Sequence, residues 1–243
     1  MIDVNCFAGH WPSRRLDGDL PAVRDSLRGL GVDLMYVSPL ESAWSRNPHQ
    51  PNGALYESVA AFEDVRPVPV LDPTIATWQS ELTRAAERPD VDLIRLLPAY
   101  SPYSLSDADE LLAAAAAAGL VVLCQTRMED PRRQHPLAQV PDAPIADVVA
   151  AAGRHPDLTL IVGGASAAQA RSLSNPLRDL PNLYADTSQI DGVDSIRGLV
   201  EEGLAERLLF GSHAPLFTPY AAVARVVADI DDQSVHPGES FEY

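Results

Sequence analysis

The 243-residue chain contains no lysine: all 18 of its basic residues are arginine. Schiff-base chemistry at a lysine side chain is therefore excluded. Cysteine is scarce, with Cys6 and Cys124 alone, too few for a disulfide framework. No apolar run reaches the roughly 20 residues that would cross a bilayer. No basic segment precedes an apolar one at the N-terminus, so no signal peptide is expected and a cytoplasmic location is. The arginines are outnumbered by 34 acidic residues, for a net charge of −16. That balance argues against nucleic acid and against an anionic membrane surface as partners.

What is present suits one large α/β domain spanning residues 1–243, with 46% hydrophobic residues to build its core. Eight strand candidates can be counted: Ile2–Cys6, Asp33–Val37, Val65–Leu71, Val91–Leu97, Leu120–Cys124, Leu158–Val162, Leu183–Asp186 and Leu208–Phe210. Most are runs of Val, Ile and Leu, the pattern of parallel strands buried on both faces. Amphipathic segments alternate with them, from Leu20–Leu30 through Ala54–Phe62, Ile75–Arg88, Asp107–Ala118, Ile145–Arg154, Ala165–Leu173 and Val193–Glu202 to Pro219–Ile230. Gly31, Gly119, Gly153 and Gly203 stand at expected helix ends, and Asp72-Pro73-Thr74 at a helix start. No G-x-G-x-x-G opens a helix, so a (β/α)₈ TIM barrel is expected rather than a doubly wound sheet. The polar tail after Ile230 suggests that the last helical unit is abbreviated.

The segment Ile2–Pro12, IDVNCFAGHWP, is a short strand running into a loop. Alternation places Asp3, Asn5 and Phe7 on one face and Val4 and Cys6 on the other. If Asn5 and Gln125 point into the barrel, both cysteines point out into the helix layer as small buried hydrophobes. Together with Leu97-Pro98-Ala99-Tyr100 and Phe210-Gly211-Ser212, this opening strand resembles the amidohydrolase-related TIM-barrel family of metal-dependent hydrolases and decarboxylases. In that family the first strand reads D-x-H-x-H-x-G and gives two histidines to a metal. The fifth strand ends in a ligand histidine, the sixth in Gly-His, and the eighth in Gly-[Ser/Thr]-Asp-[Ala/Ser]-Pro, whose aspartate binds metal and serves as base. In this chain those five positions hold Asn5, Phe7, Gln125, Gly164 and His213. The resemblance therefore implies the scaffold without its usual metal centre, and no cofactor is expected. The missing lysine also excludes the carboxylated lysine that bridges two metals in many amidohydrolases.

In such a barrel the active site lies at the C-terminal ends of the strands. There the sequence places Asn5, His10, Arg95, Tyr100, Tyr103, Gln125, Arg127, Asp186, Ser188 and His213. His213 and Asp186 are the candidate acid/base pair, because an imidazole titrates near neutral pH. Filling the space of a lost aspartate is the bland alternative for His213. Asn5, His10, Arg95, Tyr100, Gln125 and Arg127 are the candidate substrate-binding residues, with arginine suited to gripping a carboxylate in bidentate fashion. Arg95 sits inside an apolar strand and must face the mouth or a buried acid, with Asp186 its best partner. A Ser188–His213–Asp186 triad can be drawn, as can a His10, His213 and Asp186 metal set, although no spacing selects either. His49, His135, His155 and His236 read as surface residues. Two functions stand at this stage. One is a hydrolase or C–C lyase acting without metal on a small carboxylate or carbonyl compound. The other is a catalytically degenerate copy that binds a small molecule or a partner, and a homo-oligomer fits either.

Overall fold

The computed structural model describes residues 1–101, 103–192 and 194–231, with backbone alone at 229–231. Its eight strands are β1 (Ile2–Ala8), β2 (Leu34–Pro39), β3 (Val65–Pro67), β4 (Leu93–Leu96), β5 (Val121–Gln125), β6 (Leu160–Gly163), β7 (Leu183–Asp186) and β8 (Leu208–Leu209). Every pairing is parallel, in two sheets ordered β1-β2-β3 and β4-β5-β6-β7-β8. The ladder is not continuous around the ring, but a few backbone hydrogen bonds stitch each seam. At one, Arg95 N donates to Pro69 O and Leu71 N to Arg95 O, both at 2.9 Å; at the other, Val4 N donates to Phe210 O at 2.9 Å. Asp3 fastens the second seam, its Oδ1 accepting from Ser212 N and from Asn5 N at 3.0 Å each.

The helices between the strands are α1 (Leu20–Arg28), α2 (Gln50–Val59), α3 (Trp78–Ala86), α4 (Asp109–Ala117), α5 (Ile145–Arg154), α6 (Ala167–Ser172), α7 (Ser174–Asp179), α8 (Ser195–Glu201) and α9 (Pro219–Asp231). Side chains alternate across each strand. The inward row of Val68, Leu93, Leu123 and Ile161 fills the lower barrel, while Cys6 and Cys124 turn outward into the helix-packed clusters as free, buried thiols. Two residues further along the same inward rows come Arg95 and Gln125, where the interior changes from apolar to polar. None of the helices among the described residues is long and apolar enough to cross a membrane.

Departures from the sequence expectation have local causes. The third strand stops at Pro67 because Pro67 and Pro69 carry no N–H for the ladder, leaving Val70 as an isolated bridge to Arg95. Helix α2 starts four residues early, with Pro51 in its first turn, where a missing N–H costs nothing. Helix α3 starts late, because Asp72 Oδ1 instead closes a turn on Thr74 N at 2.8 Å. A Ser166/Gln169 capping box opens α6, and the separate α7 behind it was not expected. Helix α9 runs to thirteen residues, not abbreviated; the tail from residue 232, with His236, lies outside the described residues, as does Val193. His49, expected at the surface, is buried, and its Nε2 accepts from Asp72 N at 2.9 Å.

The broken third strand relies on α2 instead. Asn52, fully buried, accepts from Val70 N and donates to Val70 O, both at 2.9 Å. Asn52→Ala strands both backbone groups and should lower unfolding stability by about 2–3 kcal/mol in urea titrations. A loss within about 0.5 kcal/mol would show that Val70 is held some other way.

Candidate functional site

The C-terminal end of the barrel interior holds one connected set of polar side chains. Arg95, from β4, is fully buried, and its Nη1 donates to Asn5 Oδ1 at 2.7 Å and to Gln125 Oε1 at 2.8 Å. Asn5 Nδ2 donates in turn to Gln125 Oε1 at 3.0 Å and to Asp186 Oδ2. The other oxygen of Asp186 accepts from Gly164 N at 3.1 Å, Ser188 N at 3.2 Å and Ser188 Oγ at 2.9 Å. Guanidinium and carboxylate are thus joined through an amide rather than by direct contact. The face of Phe7 covers the cation, its centroid 4.0 Å from Arg95 Cζ, which adds a cation–π attraction in a desolvated place.

Burial sets the electrostatics. It lowers Arg95 to about 10, still protonated at neutral pH, and the nearby Asp186 and Asp3 counter that shift. Burial raises Asp3 to about 6 despite its hydrogen bonds from Ser212 and Asn5, and raises Asp186 against four hydrogen bonds that hold it down. His213 is fully buried at φ +57° and is lowered to about 3, mainly by burial, with Arg95, Arg127 and Arg14 adding repulsion. Its ring Nε2–H donates to Met128 O at 2.7 Å. A carbonyl accepts only, which fixes the tautomer and leaves Nδ1 as an unpartnered lone pair.

Asn5, Arg95, Gln125 and Asp186 therefore converge as the sequence placed them, with Ser188. His213 stands beside them, in edge contact with Phe7 at 5.1 Å. The drawn triad is not assembled: Ser188 Oγ serves Asp186, and His213 serves a backbone carbonyl. His10 is exposed and anchored by its backbone N to Glu41 at 2.6 Å, away from His213 and Asp186, so the drawn metal set does not come together. Tyr100 packs edge-on against Trp11 and Trp44, and Tyr103 lies in the helix-side core. Above the polar set, Phe7, Trp11, Leu97, Met128 and Leu216 close into an apolar cluster.

Gln189 was not singled out in the sequence, though it lies three residues beyond Asp186. Its Nε2 donates to Arg127 O at 2.8 Å and its Oε1 accepts from Arg127 Nε at 2.5 Å. Gln125 Nε2 reaches the same carbonyl at 2.7 Å. These two amides explain Gly164, at φ +77°. A Cβ there would stand 2.5 Å from Arg127 O and 2.6 Å from Gln125 Nε2, so no larger residue fits.

Beside this set, between the ends of β5 and β7 and the start of α9, lies a cavity of about 230 Å³ lined by Arg127, Arg132, Arg133, Arg225, Asp130, Asp191, Ser188, Gln189 and Phe217. Arg132 is engaged with Asp130, and Arg225 Nη1 faces the carbonyls of Thr187, Ser188 and Ile190. Arg127 and Arg133 present the remaining guanidinium groups.

The residues at the mouth do not fit the divalent metal that the resemblance implies. The two amide oxygens are occupied by Arg95, both Asp186 oxygens accept hydrogen bonds, and a fixed positive charge stands among them. No group of three or more His, Cys, Asp or Glu side chains among the described residues could hold a metal ion.

A family model described as Amidohydrolase matches residues 43–236. No curated protein matches the chain. Solved structures do match. An uncharacterized TIM-barrel protein from Bordetella bronchiseptica is similar at 15% identity and TM-score 0.69, over 93% of this chain and 90% of that one. A probable 2-pyrone-4,6-dicarboxylic acid hydrolase from Acinetobacter baumannii, with citric acid bound, is similar at 12% identity and TM-score 0.64, over 96% and 92%. A 5-carboxyvanillate decarboxylase from Novosphingobium aromaticivorans, with bound manganese, is similar at 12% identity and TM-score 0.65, over 84% and 74%. At these identities the likeness shows the fold, an α/β TIM barrel.

His213 generates a pH prediction. The unfolded chain binds this proton below 6.5 and the folded protein only below about 3, so through this residue acid favours unfolding. Asp3 works in the opposite sense between 3.8 and about 6, but it is common to both proteins in a comparison with His213→Asn. Relative to wild type, His213→Asn should gain stability as the pH falls from 6.5 towards 4, by at most about 1.4 kcal/mol per pH unit. Parallel stability curves from urea titrations at each pH would show that the folded protein does not hold His213 neutral.

Proposed function

We propose a function from one premise, that the chain belongs to the amidohydrolase family. It takes a small organic carboxylate at the C-terminal ends of its strands and acts on it by hydrolysis or by loss of CO₂, without the family's metal. The observation that carries this reading is the 230 Å³ cavity with Arg127 and Arg133 in its wall. In a chain of net charge −16, a concave site lined by four arginines against two acids attracts an anion where the rest of the surface repels one. Guanidinium groups grip a carboxylate in bidentate fashion and fix its orientation. Two of the structural neighbours, by their names, act on carboxylated compounds, which supports the same substrate class here.

The parts divide as follows. Arg127, held by Gln189 through Nε, offers its outer nitrogens to the carboxylate, with Arg133 as the second arm. His213 Nδ1 is the candidate base, an unpartnered lone pair buried behind the cavity's Phe217 and Gln189. A bound anion offsets the charge of Arg127, one of the cations that keep His213 neutral, and so brings the imidazole closer to titrating at working pH. Without a Lewis acid to make hydroxide, an activated ester, a lactone or an acid prone to decarboxylation suits this site, and a stable amide does not.

Isothermal titration with a panel of aromatic and aliphatic carboxylates, each paired with its neutral methyl ester, tests the reading. At least one acid should bind and its ester should not, and Arg127→Ala with Arg133→Ala should weaken binding by about 10–100-fold. Equal binding of acid and ester, or an undiminished affinity in the double variant, would overturn the carboxylate site. A bound acid that no preparation of the protein turns over would overturn the catalytic half.

A further inference from the structure

The polar set inside the barrel is arranged around a positive charge. Arg95 is fully buried: its Nη1 faces two amide oxygens, Asn5 Oδ1 and Gln125 Oε1, its plane lies over the face of Phe7, and its Nε and Nη2 have no hydrogen-bond partner among the described residues. Oxygen dipoles and an aromatic quadrupole are a weak-field shell, matched to a large, diffuse monovalent cation rather than to a small dication, which demands carboxylate or imidazole donors. The compensating negative charge stands one residue further out, on Asp186, and reaches the cation through Asn5 Nδ2. Asn5, Phe7 and Gln125 are three of the five positions at which the resemblance puts metal ligands, and all three touch this one side chain. A fourth, Gly164, stays bare because a Cβ would strike Gln125 Nε2 and Arg127 O. One of the similar barrels carries manganese.

We propose that this barrel has kept a cation at its centre and supplies that cation from its own chain: the Arg95 guanidinium occupies the role that a metal ion fills in related barrels. The former ligand positions form a guanidinium-binding site. Removing the side chain should therefore leave a cavity that recognises free guanidinium and rejects divalent ions. This holds whether or not a carboxylate binds in the neighbouring cavity.

Chemical rescue of Arg95→Ala tests it. The melting temperature of the variant is followed against guanidinium chloride at low millimolar concentrations, with sodium, ammonium and manganese chlorides and the wild-type protein as controls. Guanidinium alone should raise the variant's melting temperature, by about 3–6 °C once it exceeds roughly ten times its Kd. Wild type should show no rise. No selective effect of guanidinium, or a larger rise with manganese, would overturn the proposal. If Arg95→Ala does not fold, Arg95→Lys and Arg95→Met are compared by urea titration. A required cation makes Lys the more stable of the two, and Met at least as stable as Lys would overturn the proposal.

Discussion

A single buried guanidinium governs the upper half of this barrel. An isolated charge in an apolar interior is costly enough that it must be paired and hydrogen-bonded or it will not stay charged. Arg95 offsets part of that cost through Nη1, which draws in Asn5 and Gln125, and through the face of Phe7, while its Nε and Nη2 stay without a hydrogen-bond partner among the described residues. Each of these then fixes another group: Asn5 orients Asp186, and Gln125 pins the Arg127 carbonyl. Asp186 in turn caps the backbone at Gly164 and Ser188. The bare Gly164, which leaves room for Gln125 Nε2 and the Arg127 carbonyl, sits downstream of that one charge. The charge also bears on metals. A dication about 4 Å from a guanidinium meets a repulsion of about 8 kcal/mol even at an effective dielectric of about 20.

Much of the fold was legible because it rests on alternation and punctuation. Runs such as residues 121–124 and Leu160–Gly163 are apolar on both faces, and Gly31, Gly119 and Gly203 end their helices with positive φ as their positions suggested. The failures came where a side chain did the work of the backbone. Asn52 replaces ladder bonds lost at Pro67 and Pro69, Asp72 delays α3, and the buried His49 accepts the Asp72 amide. Such long-range pairs leave no periodic trace in a sequence.

The site was legible in part for the same reason. Strand parity put Asn5 and Gln125 inward, and the cost of an unpaired charge in an apolar strand put Arg95 at the mouth with Asp186 as its candidate partner; the four meet, with Asn5 between Arg95 and Asp186. Parity could not say that His10 is exposed, that Tyr100 belongs to a stack with Trp11 and Trp44, or that His213 spends its Nε2–H on Met128 O. Loop residues carry no register, so their partners are set by the tertiary path. Gln189 was invisible for a further reason: its value lies in bridging Arg127 on another strand end. The chemistry thus divides between a sealed, charge-balanced interior and an open arginine cavity at its edge, and the fold itself does not choose between the many reactions such barrels support.

The most direct measurement is the metal content of the wild-type protein, by elemental mass spectrometry after equilibration with excess manganese and zinc and removal of free ions. An interior whose cation is Arg95 should retain far less than one metal ion per chain. Stoichiometric manganese or zinc, retained by the folded protein and lost on substitution of Asp186 or His213, would contradict the account.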